Sequence, residues 1–173
     1  TVAASDVDAA NDTLTYSITA GNGSGVFTID GTTGAISQDG SLDFEATPQY
    51  VLTVQVDDNA GGISTATITV DVNDVNEAPV AADNAFTVDE NTATSVLGTV
   101  AATDVDTADT LAYSITAGDA GGLFSINASS GELHQLGSLD FETAAQHVLT
   151  ITVTDDGTGT LSDTATVTVD VTD

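Results

Sequence analysis

One module is written twice in this chain, and no other feature limits the possible folds as much. Thr1-Val2-Ala3-Ala4-Ser5-Asp6-Val7-Asp8 returns as Thr99-Val100-Ala101-Ala102-Thr103-Asp104-Val105-Asp106. Tyr16-Ser17-Ile18-Thr19-Ala20-Gly21 returns at 113–118, Gly40-Ser41-Leu42-Asp43-Phe44-Glu45 at 137–142, and Thr69-Val70-Asp71-Val72 at 168–171. The offset is 97 to 99 residues, so each module is about 98 residues long. The two copies are unequal: Thr1 aligns with Thr99, which leaves the first copy without a counterpart of residues 76–98.

Within a module the apolar residues alternate. Tyr50, Leu52, Val54 and Val56 share one face, and Val51, Thr53 and Gln55 share the other. Ala66, Ile68, Val70 and Val72 alternate in the same way with Thr67, Thr69 and Asp71. The second copy repeats this with His147, Leu149, Ile151 and Val153, then with Ala165, Val167, Val169 and Val171. A period of two puts successive side chains on opposite faces of a half-buried strand. Gly21-Asn22-Gly23, Asp30-Gly31 and Ala60-Gly61-Gly62 supply turns between strands, and no stretch keeps a helical period. The expected fold is all-β: two tandem seven-stranded Greek-key β-sandwiches, the first lacking its N-terminal strand. That strand begins the second copy, at Ala85–Glu90. The expected boundaries are 1–75 for module one, 76–82 for a linker and 83–173 for module two. Tyr16 and Tyr113, Phe27 and Phe124, and Phe44 and Phe141 pair between the copies at positions expected in the cores. With no Trp, Met or Cys, those cores are thin. A sandwich of this size and composition is marginal alone and needs another source of stability.

Charge narrows the partners. There are 27 Asp and Glu residues and no Lys or Arg, for a formal net charge of −27. Nucleic acid and anionic membrane surfaces both require basic side chains, so neither is an expected partner. No run approaches the ~18 apolar residues of a membrane helix, and no signal-peptide pattern stands at Thr1. The chain is expected to be an internal window of a longer one. Regular alternation, at 40% hydrophobic residues, argues against the disorder that acidic chains often show. Without a basic side chain, a carboxylate here can be answered only by water, backbone N–H groups or metal ions.

The carboxylates gather where strands end. Asp43 and Glu45 lie in Leu-Asp-Phe-Glu, and Asp71, Asn73 and Asp74 at the exit of module one's last strand. Asp104 and Asp106 follow a strand of module two, and Asp155 and Asp156 end another. If strands run lengthwise, the exits of module one meet the entry loops of module two. A hard divalent cation would relieve the resulting repulsion, and Ca²⁺ suits an irregular cage of oxygen donors.

This pattern resembles cadherin-type repeats, in particular those of large bacterial surface adhesins, over the whole chain. The resemblance implies calcium between successive domains. Asp43 and Glu45 match the family's Asp-X-Glu. Asn73 and Asp74 match linker ligands, with Val72 and either Val75 or Asn76 supplying a further oxygen. Asp104 and Asp106 match the Asp-X-Asp, and Asp155 the strand-end Asp. Glu90 matches the first-strand Glu and is assigned with Asp140 and Glu142 to the following junction. Asp6, Asp8 and Asp58 fall to the preceding one. Two departures stand out. The linker Asp71-Val72-Asn73-Asp74-Val75-Asn76-Glu77-Ala78-Pro79 carries two extra residues before Ala-Pro, and module one lacks its first-strand Glu. The family's usual three ions per junction are therefore an upper figure. The six charges of Asp43, Glu45, Asp74, Asp104, Asp106 and Asp155 equal those of three Ca²⁺.

Other chemistry is poorly supported. His134 and His147 have no repeated partners suited to catalysis or zinc, and the carboxylates read as a cation cage rather than a glycosidase pair. The chain is expected not to be an enzyme. The expected role is a calcium-rigidified spacer of an extracellular, cell-surface adhesin, its partners being calcium and neighbouring repeats of the same polypeptide. Two alternatives stay open. One is a calcium-dependent module that binds glycans or other copies of the chain. The other is a subunit of a strand-exchanged filament, in which a strand from another chain fills module one's edge.

Overall fold

The computed structural model describes residues 1–7, 13–92 and 95–173. Its contacts divide the chain into two compact units, Thr1–Asp74 and Val75–Asp173. No helix occurs among the described residues, so none is long and apolar enough to cross a membrane.

In the first unit, β1 (Thr15–Ala20), β4 (Gln49–Asp57) and β5 (Ile63–Asp71) form one sheet in the order β1-β4-β5. β2 (Phe27–Ile29) and β3 (Ile36–Gln38) form a hairpin. The alternation read from the sequence is the alternation of burial. Leu52, Val54 and Val56 are buried, and Tyr50 is half-buried with its ring edge-on to Phe27, centroids 5.1 Å apart. Segment 1–5 is not a strand, although Val2 is buried and its N–H donates to Gly34 O at 2.8 Å.

The second unit begins with the stretch expected as linker. β6 (Val80–Ala81) pairs with β9 (Ala102–Thr103), and β7 (Asn84–Asp89) pairs in parallel with β14 (Ser162–Thr172). The module's first strand is thus broken at Ala82-Asp83, and each half joins a different partner. Asp83 holds the break, its Oδ1 accepting the Thr166 N–H at 2.7 Å. While β6 and β9 form a separate pair, β7 and β14 build a sheet with β10 (Ala112–Ala117) and β13 (Gln146–Thr154), in the order β10-β13-β14-β7. Against it lies a second sheet, β11-β12-β8, from Phe124–Ile126, Glu132–Gln135 and Val96–Thr99.

The two cores differ where the copies differ. On β14, Ala165, Val167, Val169 and Val171 are fully buried, whereas their repeats, Ala66, Ile68 and Val70 on β5 and Val72 just after it, are only half-buried. β14 has β7 along its far edge; among the described residues, β5 pairs only with β4. Repeated sequence gives repeated strands, but the neighbours set the depth of burial. His147, which replaces Tyr50, sits edge-on to Phe124 at 5.3 Å and serves packing. One expectation fails: Phe141 is 37% exposed rather than a core residue. The turn that carries it is held by backbone bonds, from Thr143 and Ala144 to Asp140 O, and turns its ring outward.

Candidate functional site

The oxygen donors of the second unit fall into two groups, at opposite ends of β14. The first is organised by Asp155, which ends β13 and is 4% exposed. Its Oδ1 accepts the N–H groups of Gly157 and Leu161 at 3.1 and 3.0 Å, and its Oδ2 accepts Asn76 Nδ2 at 3.2 Å. This carboxylate closes the loop that leads into β14 and ties Asn76 to it. Asp106, also buried, accepts the Glu77 N–H at 2.8 Å. Asp104 turns the chain by accepting the Asp106 N–H at 3.0 Å through Oδ1. Val75 stays largely exposed.

Two further carboxylates belong to this group although the sequence reading did not select them as ligands. Asp156 accepts Thr110 N–H and Oγ1–H at 2.7 and 2.6 Å, and those two bonds hold it below the usual carboxylate range. Asp109 is pushed the other way, first by burial and then by the charges of Asp106, Asp156, Asp155 and Asp104. The Oδ2 atoms of Asp104 and Asp109 are sealed from solvent and have no hydrogen-bond partner.

The second group lies where β7 and β14 end. The Glu90 N–H donates to Thr172 O at 2.8 Å, continuing the strand pairing, and Glu90 Oε2 accepts the Phe141 N–H at 3.1 Å. Carboxylate oxygens of Glu90, Glu142 and Asp173 lie within 4.8 Å of one another. Asp140 caps its own turn, accepting the Thr143 N–H at 3.0 Å. Glu142 is presented by the loop after β12, which is fixed from inside. Fully buried Gln135 donates to Gly137 O at 2.7 Å and accepts Ser95 Oγ–H at 3.1 Å.

The first unit repeats the parts. Asp43 Oδ1 accepts the Ala46 N–H at 2.8 Å, and Glu45 is exposed in the same turn. The Val72 N–H donates to Pro48 O at 2.9 Å, and exposed Asn73 and Asp74 follow it. Asp58 accepts the Ala60 and Gly62 N–H groups at 2.7 and 2.8 Å, bonds that lower its pKa in that order of effect. Asp6 and Asp58 line one groove together. Asp8, assigned with them from the sequence, lies outside the described residues.

The donor set is all oxygen and without an adjacent cation. His134 instead meets Glu132 at 2.7 Å, and His147 packs edge-on to Phe124. Sealed, partnerless carboxylate oxygens and an acidic trio at close quarters suit a hard divalent cation, and Ca²⁺ best among them, since it accepts irregular cages of six to eight oxygens. Of the residues missed, two had a signal in the repeat. Asp173 occupies in Thr-Val-Asp-Val-Thr-Asp the place of Asp74 in Thr-Val-Asp-Val-Asn-Asp, and Asp109-Thr110-Leu111 recurs as Asp12-Thr13-Leu14.

Comparison with known proteins converges on one family. The family model described as cadherin domain matches residues 1–73 and 84–172. Human protocadherin Fat 4 is 41% identical over 182 residues, which is 99% of this chain and 4% of that protein. The Drosophila melanogaster protocadherin-like wing polarity protein stan is 35% identical over 189 residues, covering 100% of the chain and 5% of its own length. Among solved structures, human protocadherin-24 EC1-2 is similar with a TM-score of 0.80 at 26% identity, covering 99% of this chain and 86% of that one. The protocadherin gammaB7 EC3-6 cis-dimer structure gives 0.75 at 28% identity, with coverages of 92% and 41%.

Proposed function

The chain belongs to the cadherin domain family, whose members are extracellular adhesion modules and not enzymes, and from that premise we propose that it is a calcium-rigidified spacer of a cell-surface adhesin. Its two modules span 4% of human protocadherin Fat 4 and 5% of the Drosophila protein stan, so it accounts for a segment of such a protein's work. The observation that carries the proposal is the trio Glu90, Glu142 and Asp173, three carboxylates within 4.8 Å in a chain without Lys or Arg. Two unit charges about 4 Å apart repel by roughly 1 kcal/mol even in bulk water, and by more at a protein surface. A bound divalent ion turns that cost into cohesion.

In this reading Asp43, Glu45, Val72, Asn73 and Asp74 from module one serve the junction with Asn76, Asp104, Asp106 and Asp155 from module two. Asp6, Asp8 and Asp58 serve the junction before, and Glu90, Asp140 and Glu142, now with Asp173, the one after. Residues 76–82 are the joint between modules 1–75 and 83–173. A large bacterial adhesin as the parent is part of the proposal. It rests on the resemblance of the repeat, and the relatives matched are animal proteins. Extracellular modules bind calcium at about 10⁻⁴–10⁻³ M. A hundredfold excess over such a Kd stabilises the bound form by about 2.7 kcal/mol, a large share for a thin-cored domain.

Small-angle scattering of the full chain with calcium and with chelator tests this. The maximum dimension should be sharply defined with calcium and broaden when calcium is removed. Identical profiles in both conditions would overturn the spacer. One similar protein, protocadherin gammaB7, is described as a cis-dimer, which favours self-association as the second reading. Calcium-dependent sedimentation that rises with concentration would support it.

A further inference from the structure

In the second unit β7, near the start, and β14, at the end, lie side by side and run the same way. β7 pairs in parallel with β14 over six residue pairs, from Asn84 beside Val167 to Asp89 beside Thr172. On one flank of β14 the Val171 N–H donates to Ala145 O at 2.9 Å, and on the other Thr172 O accepts the Glu90 N–H at 2.8 Å. Backbone groups alternate sides along a strand, so Thr168, Asp170 and Thr172 turn theirs to β7. Side chains close both ends of this ladder. At its start, in the break between β6 and β7, Asp83 Oδ1 accepts the Thr166 N–H at 2.7 Å. At its end Thr172 Oγ1–H donates to Asp89 Oδ1 at 2.8 Å. Inward, Val88 belongs to the core and Phe86 packs against it. β14 is itself anchored by nine residue pairs with β13.

The chain enters β7 beside Val167 and leaves β14 beside Asp89, at opposite ends of the shared ladder. Tension on the two ends of the unit therefore slides β7 along β14. The bonds of the ladder share that load and must fail together. The β13–β14 hairpin is arranged the other way. Ala145 and Val171 meet at one end of it, so tension between Ala145 and Asp173 opens its pairs one after another. We infer that β7 and β14 form a shear clamp through which the second unit bears tension applied at its ends, and that Asp83 is the latch at the clamp's entry. A spacer pulled between a surface and a target is loaded in the direction this pair resists. Forced unfolding follows the height of a barrier rather than the equilibrium stability, so the clamp adds a resistance that Tm does not report. Its bonds are backbone pairs and an N–H to a carboxylate, and no cation takes part in them.

The test is single-molecule pulling of the full chain in chelator, in two directions. End-to-end pulling should give one event for each unit, told apart by length, since 99 residues extend further than 74. For the second direction Ala145→Cys supplies an attachment point, in a chain with no other cysteine, and the unit is pulled between position 145 and Asp173. The longer end-to-end event should need several times the force of the 145–173 pull, although the same unit with the same stability is being opened. Equal forces in the two directions overturn the clamp. Asp83→Ala should lower the end-to-end force of the longer event and leave the 145–173 force at its wild-type level. If both forces fall alike, or neither changes, the latch is overturned. Because calcium is absent throughout, the clamp and the calcium-rigidified spacer stand or fall separately.

Discussion

Asp155 shows how one residue can serve both fold and site. It is the most buried carboxylate among the described residues, and it answers Gly157, Leu161 and Asn76 at once. Removing it takes the acceptor from the Gly157 and Leu161 N–H groups of a part-buried loop, at a cost of about 1–3 kcal/mol even without metal. Asp155→Ala should therefore lose about 2 kcal/mol of stability in urea titrations run in chelator, and more when calcium is present. The pH dependence separates two kinds of carboxylate. Asp58, Asp156 and Asp163 are lowered by hydrogen bonds, for Asp163 from the Ala81 and Thr164 N–H groups. Their stabilisation is present above the ordinary carboxylate pKa and is lost as pH falls through their folded values. Asp109 is raised, so its contribution is present below the ordinary value and is lost as pH rises through its folded one. In chelator, acidification from neutrality should first raise Tm as Asp109 takes up its proton. It should lower Tm once the depressed group titrates. The difference between wild type and Asp109→Asn across the same pH series isolates the first phase. Parallel curves would show that Asp109 does not contribute.

At the scale of the element, the same strand behaves differently in its two copies. Val167 on β14 is fully buried, while Ile68, its repeat on β5, is half-buried. Truncation to Ala should cost about 2 kcal/mol at Val167 and about half that at Ile68, although Ile68 loses more atoms. Amide exchange resolved along the two strands measures each separately. The repeated glycine after Tyr-Ser-Ile-Thr-Ala is a second element-scale constraint. Gly21 and Gly118 have φ of +82° and +89°, and a Cβ on either would collide with the carbonyl of Val51 or Val148 on the paired strand. This much was legible in the sequence, because the period of two names the inward residues and the repeat names the turns. Depth of burial was not legible, since it depends on which strand lies alongside. The break in the first strand was hidden for a related reason. Val80-Ala81 fell within the expected linker, 76–82, and only Ala85–Glu90 read as a strand; the pairing of β6 with β9 and of β7 with β14 is set by partners distant in sequence. The site divides in the same way. Asp155 and the Asp104–Asp106 pair are strand-end carboxylates and stand out, whereas Asp109 lies within a turn and shows its importance only through the sealed environment of its Oδ2.

For the whole molecule the governing quantity is a net charge of −27 without one Lys or Arg. Such a chain resists compaction through two kinds of repulsion, and salt tells them apart. Exposed carboxylates repel over a Debye length, about 10 Å at 0.1 M monovalent salt and 3 Å at 1 M. Oxygens closer than that, or sealed from solvent, are screened far less. Raising sodium chloride from low to high concentration in chelator should therefore recover part of the Tm lost on calcium removal, through the dispersed charge. It should not recover the rest, because Na⁺ brings half the charge of Ca²⁺ to the Glu90–Glu142–Asp173 trio and to the oxygens around Asn76. Thermal unfolding across a salt series in chelator, beside a calcium series at fixed ionic strength, makes the comparison. A high-salt Tm below the calcium-saturated value means that specific coordination contributes beyond neutralisation. If salt alone restores the full value, the carboxylates act as a diffuse field, and the rigidity assigned to bound calcium has no basis in these sites.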